Sequence, residues 1–145
     1  MESHYFLQFN HSISLSEQYL LSCVPFVCNG GEFYDGLEFI ISNGIPLASY
    51  NSAKNQGKCP KQFLKAPLNV TSYTLLQTFD EEEVIRIVGT IGPVAVGIDG
   101  TFHDFFFYKS GIFSPLSCTE NKNHPVIIVG YGTEKGKDFW WIQNS

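Results

Sequence analysis

Two hydrophobic periods run along this chain, a helical one first and a strand-like one later. Met1, Tyr5 and Phe9 recur four residues apart with Phe6 beside them, which predicts the end of a helix over residues 1–10. Ser14 or Ser16 is placed to cap a short helix over Glu17 to Leu21, with Ser14-Leu15-Ser16-Glu17 reading as a capping box. Asn29-Gly30-Gly31 predicts a turn. Over residues 32–42, Phe33, Leu37, Ile40 and Ile41 form a helical stripe that Asn43-Gly44 and Pro46 stop. Residues 48–72 are polar and irregular. Asp80 opens another helix with Glu83 at the capping-box position and Val84, Ile87, Val88 and Ile91 as its apolar stripe; Gly92-Pro93 ends it. The run Val94-Ala95-Val96-Gly97-Ile98 then predicts a short buried strand within residues 93–99. A long loop over 110–123 leads to a hairpin, Val126 to Tyr131 paired with Phe139 to Gln143. Helices come mostly first and strands mostly last, which is α+β segregation in two subdomains, 1–70 and 71–145.

Composition narrows the class. A chain of 145 residues can bury roughly 70% of its unfolded surface. It is 43% hydrophobic and 16% charged, with 13 Phe, which excludes a disordered tail. The net charge of -5 and the acidic run Asp80–Glu83, without a basic stripe, argue against a nucleic-acid partner. No apolar run reaches the roughly 18 residues of a membrane span, and Met1-Glu2-Ser3-His4 lacks the basic start and apolar stretch of a signal peptide. Four cysteines and the sequons Asn10-His11-Ser12 and Asn69-Val70-Thr71 nevertheless hint at the secretory route. That combination predicts a natural N-terminus other than Met1.

The C-terminal hairpin carries the candidate chemistry. With its turn centred near Glu134, antiparallel pairing sets His124 opposite Asn144, at about 5 Å between side-chain roots. An amide oxygen facing one imidazole nitrogen fixes the tautomer and turns the other nitrogen outward, the arrangement that activates a thiol or hydroxyl nucleophile. Spacing alone leaves a second option open, a surface-loop His124 and a strand-end Asn144, because a register slip of one residue separates the pair. A zinc site from Cys23, Cys28, Cys118 and His124 fits poorly, since C-x4-C and C-x5-H are unusual ligand spacings. No metal or cofactor is expected. His4, His11 and His103 are read as solvated.

Several segments, in consistent order, resemble the papain-like cysteine proteases (the papain and cathepsin L family). They are Leu15-Ser16-Glu17-Gln18, Cys23, Cys28-Asn29-Gly30-Gly31, Gly92-Pro93-Val94 and Phe107-Tyr108-Lys109-Ser110-Gly111-Ile112. Asn123-His124-Pro125-Val126, running into Val129-Gly130-Tyr131-Gly132, resembles the segment of the catalytic His, and Trp141-Ile142-Gln143-Asn144-Ser145 that of the catalytic Asn. The resemblance implies a helical half and a barrel-like half with a cleft between them, and proteolysis through a Cys–His pair with His124 and Asn144 catalytic. It implies that Gly30 and Gly31 present backbone to an extended peptide, and that Phe33, Gly97 and Pro125 line the main specificity pocket. It implies a Cys23–Cys59 disulfide, with partners for Cys28 and Cys118 outside the chain. A monomer acting on peptide or protein substrates, from a secreted or lysosomal parent, completes the expectation.

The same resemblance places the nucleophile about 130–150 residues before the His and Asn, which is upstream of Met1. The C-G-S-C-W signature, the Gln of the oxyanion hole and the strands after Asn144 are expected outside this sequence too, so the 145 residues are expected to be inactive alone. The alternative is a non-catalytic relative that binds extended peptides without turnover. Three departures stand out: a short Cys23–Cys28 segment, Pro125 where Ala or Gly is usual, and the bulky Phe139-Trp140-Trp141, read as a buried strand.

Overall fold

The computed structural model describes residues 1–25, 30–50, 58–76, 80–117, 119 and 121–144. They fall into two compact units, Met1–Gln77 and Thr78–Ser145.

The first unit holds three helices. Helix α1 spans Glu2–Phe9 and ends on Asn10, whose left-handed backbone lets its N–H bond to the Phe6 carbonyl at 2.8 Å. None of its residues is buried, but Glu2 Oε1 accepts the Leu15 N–H at 2.7 Å and ties the helix to the next segment. Helix α2 spans Glu17–Cys23. Its cap is the buried Ser16, whose Oγ accepts the Tyr19 N–H at 3.2 Å. The box expected from Ser14 does not form, because Ser14 and Leu15 are committed to pairing with the segment around Leu47: the Ser14 carbonyl accepts from the Ala48 N–H at 2.7 Å.

Helix α3, Phe33–Asn43, follows the predicted stripe, with Ile40 buried. Asp35 Oδ2 accepts the Glu32 N–H at its start, and Gly44 at φ 79° stops it. The positive φ favours glycine, and a Cβ at Gly44 would lie 2.7 Å from Lys65 Cδ, so that the lysine side chain would have to move aside. Leu15, Tyr19, Ile40, Ile45 and Ala66 form the core, with Phe39, Phe63, Leu68 and Val70 packed against it. Tyr19 is 2% exposed, its ring 4.5 Å from that of Phe63. The region read as irregular therefore supplies one wall of the core. Its apolar residues follow no period because they arrive on extended chain, held by bonds such as Ala66 N–H to the Ile45 carbonyl at 2.8 Å. Cys23 and Cys59 are joined in a disulfide across 36 residues.

The second unit opens with α4, Glu81–Thr90. Asp80 caps it by accepting the Glu82 N–H at 3.0 Å. The expected box partner Glu83 instead takes two 2.7 Å bonds from Arg86, one turn on, since an ion pair with a guanidinium outcompetes a reach back to the cap. Val84, Ile87 and Val88 are half-buried, whereas Ile91, expected in the same stripe, is 56% exposed because it lies beyond the helix at the turn into Gly92.

Strand β1, Val94–Ile98, is half-buried along most of its length and pairs antiparallel with β2, His124–Glu134, which pairs with β3, Lys137–Gln143, in the order β1-β2-β3. A one-turn helix, α5 at His103–Phe106, sits in the connection and was not anticipated, since four residues carry no measurable period. The hairpin turns on Lys135-Gly136, both at positive φ (52° and 76°), the pattern of a tight two-residue hairpin turn. The turn centre thus lies between Lys135 and Gly136, beyond the predicted centre near Glu134. The ladder then shifts register between Ile128 and Gly130, a β-bulge at Val129. Trp141, expected to be buried, is 61% exposed because β3 is the edge strand of this sheet.

Breaking the Cys23–Cys59 bridge is expected to destabilise the first unit by about 4 kcal/mol, the loop-closure entropy of a loop closed across 36 residues. Urea unfolding of the protein and of a Cys23→Ala/Cys59→Ala variant reads it; coincident curves would show that the bridge contributes nothing.

Candidate active site

Sequence placed His124 directly across from Asn144, and the structure corrects that geometry while keeping the contact. The ladder pairs Ile127 with Gln143, so its continuation sets Asn144 beside Val126, two residues from His124. The two side chains therefore meet on a diagonal. They share a face by strand alternation, and diagonal neighbours lie within reach of long or ring side chains. His124 Nε2 is 2.7 Å from Asn144 Oδ1.

An amide oxygen only accepts, so Nε2 carries the hydrogen and donates it, leaving the Nδ1 lone pair unprotonated in the neutral ring. The imidazole is held in one tautomer with its basic nitrogen turned away from Asn144. Pro125 restricts His124 to extended backbone, and His124 opens β2 opposite Ile98 of β1.

Three neighbours confine the ring. Phe105 of α5 stands edge-on with its centroid 5.8 Å from the imidazole. Gly100 lies against the root of the side chain: a Cβ there would be 2.6 Å from His124 Cβ and 3.0 Å from Cγ. Its N–H donates to Asn123 Oδ1 at 2.9 Å. Asp99 accepts from the Thr101 N–H at 3.0 Å, from the Thr101 hydroxyl and from the Thr119 hydroxyl. These bonds favour the ionised carboxylate and hold its pKa down at about 2. Sequence reasoning missed Phe105, Gly100, Asn123 and Asp99. The tripeptide Asp99-Gly100-Thr101 was the available signal, since Asp-Gly-Thr is turn chemistry.

The other predicted positions divide between the units. Gly97 faces Pro125 across the β1–β2 ladder, on the alternate face from His124. A Cβ on Gly97 would sit 3.1 Å from Lys122 Cβ, so bulk is restricted there. In the first unit, Gly30 adopts φ +93° with no described residue within 4 Å of a Cβ position, and among the described residues a Cβ on Gly31 would meet only Asp35 Oδ2, at 3.9 Å. Both leave room for another backbone to approach. Phe33, at the start of α3, is 44% exposed. Cys28 and Cys118 lie outside the described residues. Cys23 is bonded to Cys59 and is thereby unavailable to zinc, and no group of three metal-ligating side chains occurs among the described residues. Among them, too, no helix is long and apolar enough to cross a membrane.

The model of the papain family cysteine proteases matches residues 1–145. The chain belongs to that family. It is 40% identical to cathepsin S of Mus musculus over 141 residues, which cover 92% of this chain and 42% of that protein. It is 35% identical to digestive cysteine proteinase 2 of Homarus americanus over 152 residues, 100% of this chain and 47% of that one. Among solved structures, digestive procathepsin L 3 of the Tenebrio molitor larval midgut superposes with a TM-score of 0.85 at 33% identity, over 97% of this chain and 48% of its own. The chain thus spans under half the length of these relatives.

Two measurements test the site. Asn144→Ala removes the acceptor, so the Nε2 proton of His124 is expected to exchange with water roughly tenfold faster or more by ¹⁵N–¹H NMR; an unchanged rate would mean that the bond does not persist in solution. The hydroxyl and backbone donors around Asp99 hold its folded pKa at about 2, below the 3.8 of a free aspartate side chain. Its stabilisation is therefore fully present above pH ~4 and lost as pH falls towards 2. Thermal melts across that window are expected to fall less steeply for Asp99→Ala than for the parent chain.

Proposed function

We propose that the protein is a cysteine-type peptidase, with His124 as its general acid–base and Asn144 as the residue that orients it. The observation carrying this reading is the 2.7 Å bond from Nε2 to Asn144 Oδ1, which leaves Nδ1 as the outward base. In the reaction, Nδ1 takes the proton of a thiol, giving a thiolate–imidazolium pair. The thiolate attacks the peptide carbonyl carbon. The imidazolium then protonates the departing amine as the C–N bond breaks, and water deprotonated by Nδ1 releases the acyl group and restores the thiol.

In this reading the thiol comes from outside these 145 residues. Cys23 and Cys59 are bonded to each other, and all four cysteines align by resemblance with disulfide positions. Residues 1–70 and 71–145 act as parts of the helical and barrel-like halves of one peptidase domain. By resemblance, Gly30, Gly31 and Phe33 of the first unit are substrate-contacting residues, and so are Gly97 and Pro125 of the second. The disulfide supports an oxidising, secretory or lysosomal setting. The protein acts as a monomer on peptide or protein substrates, without a metal or cofactor.

The test is turnover of an extended fluorogenic peptide by the product of the native transcript. Thiol-reactive inhibitors are expected to abolish it, and His124→Ala to lower kcat/KM by roughly 10³-fold or more. The 145-residue chain by itself is expected to give none. Thiol-inhibitor-sensitive turnover by that chain alone would place the nucleophile among its own cysteines. Peptide binding without turnover by the native product would replace the peptidase reading with that of a non-catalytic relative.

A further inference from the structure

We propose that Asp99 is a positioning residue, whose carboxylate ties Thr101 to Thr119 and so clamps Gly100 onto the His124 side chain. The inference rests on the peptidase reading only for its consequence in catalysis; the clamp itself is a statement about geometry.

Gly100 meets the histidine segment twice. Its Cα lies so close to the root of His124 that a Cβ would stand 2.6 Å from His124 Cβ. Its N–H also donates to Asn123, the residue before His124, at 2.9 Å. Glycine has no side chain with which to hold such a position, and its backbone is the most permissive of any residue. The restraint must come from its neighbours.

Asp99 supplies it in two directions. One oxygen, Oδ1, accepts both the backbone N–H and the hydroxyl of Thr101, closing the turn around Gly100. The other, Oδ2, accepts the hydroxyl of Thr119, 20 residues away in sequence. Thr119 Oγ1 in turn accepts the Asn121 N–H at 3.3 Å, on the segment that runs through Asn123 into His124. One carboxylate thus joins the two stretches of chain that reach the imidazole, 99–101 and 119–124. A carboxylate suits this because it accepts at both oxygens, whereas its three partners all donate.

The network is exposed. Water competes for exposed hydrogen bonds, so each adds modestly to stability, and the network's particular role is to select a position. Asn144 fixes the far nitrogen of the ring, and the Asp99 clamp fixes its root. With the root free, the ring pivots about the Nε2 bond and the bond is strained or lost.

The experiment uses ¹⁵N-histidine-labelled protein, with His124→Gln identifying the His124 signals among the 4 histidines. Thr119→Val, which removes the hydroxyl at nearly constant volume, is expected to speed exchange of the Nε2 proton at least threefold and to move both imidazole nitrogen shifts. Thr119→Ser, which keeps the hydroxyl, is expected to restore the parent values. The melting temperature of all three proteins is expected to agree within about 3 °C. An unchanged exchange rate in Thr119→Val overturns the proposal, and so does a Thr119→Ser protein that behaves like Thr119→Val. Should Thr119→Val fail to fold, Asp99→Ala, which removes all three bonds, carries the same test; unfolding of both variants would make the network structural and overturn the positioning role. None of these readouts needs turnover. A native product without peptidase activity but with a Thr119-sensitive Nε2 proton would refute the peptidase reading and leave the clamp standing.

Discussion

The bond between His124 Nε2 and Asn144 Oδ1 depends on the hairpin that joins them. Two residues 20 apart in sequence meet only because Lys135 and Gly136 both take left-handed backbone and fold β3 back along β2. A tight turn of this kind fixes register more strongly than any side-chain pair, since every pair beyond it inherits the choice. The bulge at Val129 then shifts that register by one residue before the ladder reaches the histidine. Without the shift, alternation would put His124 and Asn144 on opposite faces of the sheet. The bulge belongs to the site as much as either polar residue does.

The first unit rests on a different constraint. Its helices are short, and isolated helices of such length are marginal. They persist because Tyr19 and Ile40 are buried against extended chain at Ile45 and Ala66, and because the Cys23–Cys59 bridge fastens the end of α2 to the segment leading there. Before α3, a Cβ at Gly30 would meet no described residue within 4 Å, and one at Gly31 would meet only Asp35 among them.

What the sequence made legible follows from where its signals lie. Helix α3 was readable because its four apolar positions repeat within one element and Gly44 punctuates its end. The hairpin was readable because both strands are rich in apolar and aromatic residues around a Gly-containing turn. The cap of α2 was legible as Ser14 or Ser16, and Ser16 takes it; the box read from Ser14 fails because the competing bond, from Ala48 to the Ser14 carbonyl, comes from more than thirty residues away. Phe63 and Ala66 were overlooked for the same reason: they pack from extended chain and leave no period. The register of the hairpin was misplaced because the turn falls on Lys135-Gly136 rather than around Glu134, and the bulge at Val129, which no residue type announces, takes back only one residue of that offset. His124 and Asn144 were found through the residue types that an oriented base requires, together with the family's motifs. The residues that confine the imidazole, Gly100, Phe105 and Asp99, belong to the connection between β1 and β2, where local pattern carries least.

That last group bears on how such a site is organised. A histidine on an edge-exposed hairpin has rotational freedom that one acceptor cannot remove, because a single hydrogen bond fixes a point and leaves an axis. A second restraint at the other end of the side chain removes the axis. Here the second restraint is backbone, delivered by a glycine whose lack of a Cβ permits the approach. The position of that glycine is set in turn by side chains that never touch the ring. The polar cost is small because the Asp99 network is solvated, so the arrangement gains orientation without burying a charge. An exposed carboxylate bonded only to hydroxyls and a backbone amide contributes little as an ion pair. Its value lies in continuing, beyond the last ladder pair Ile98–His124, the connection between the two segments that flank the imidazole.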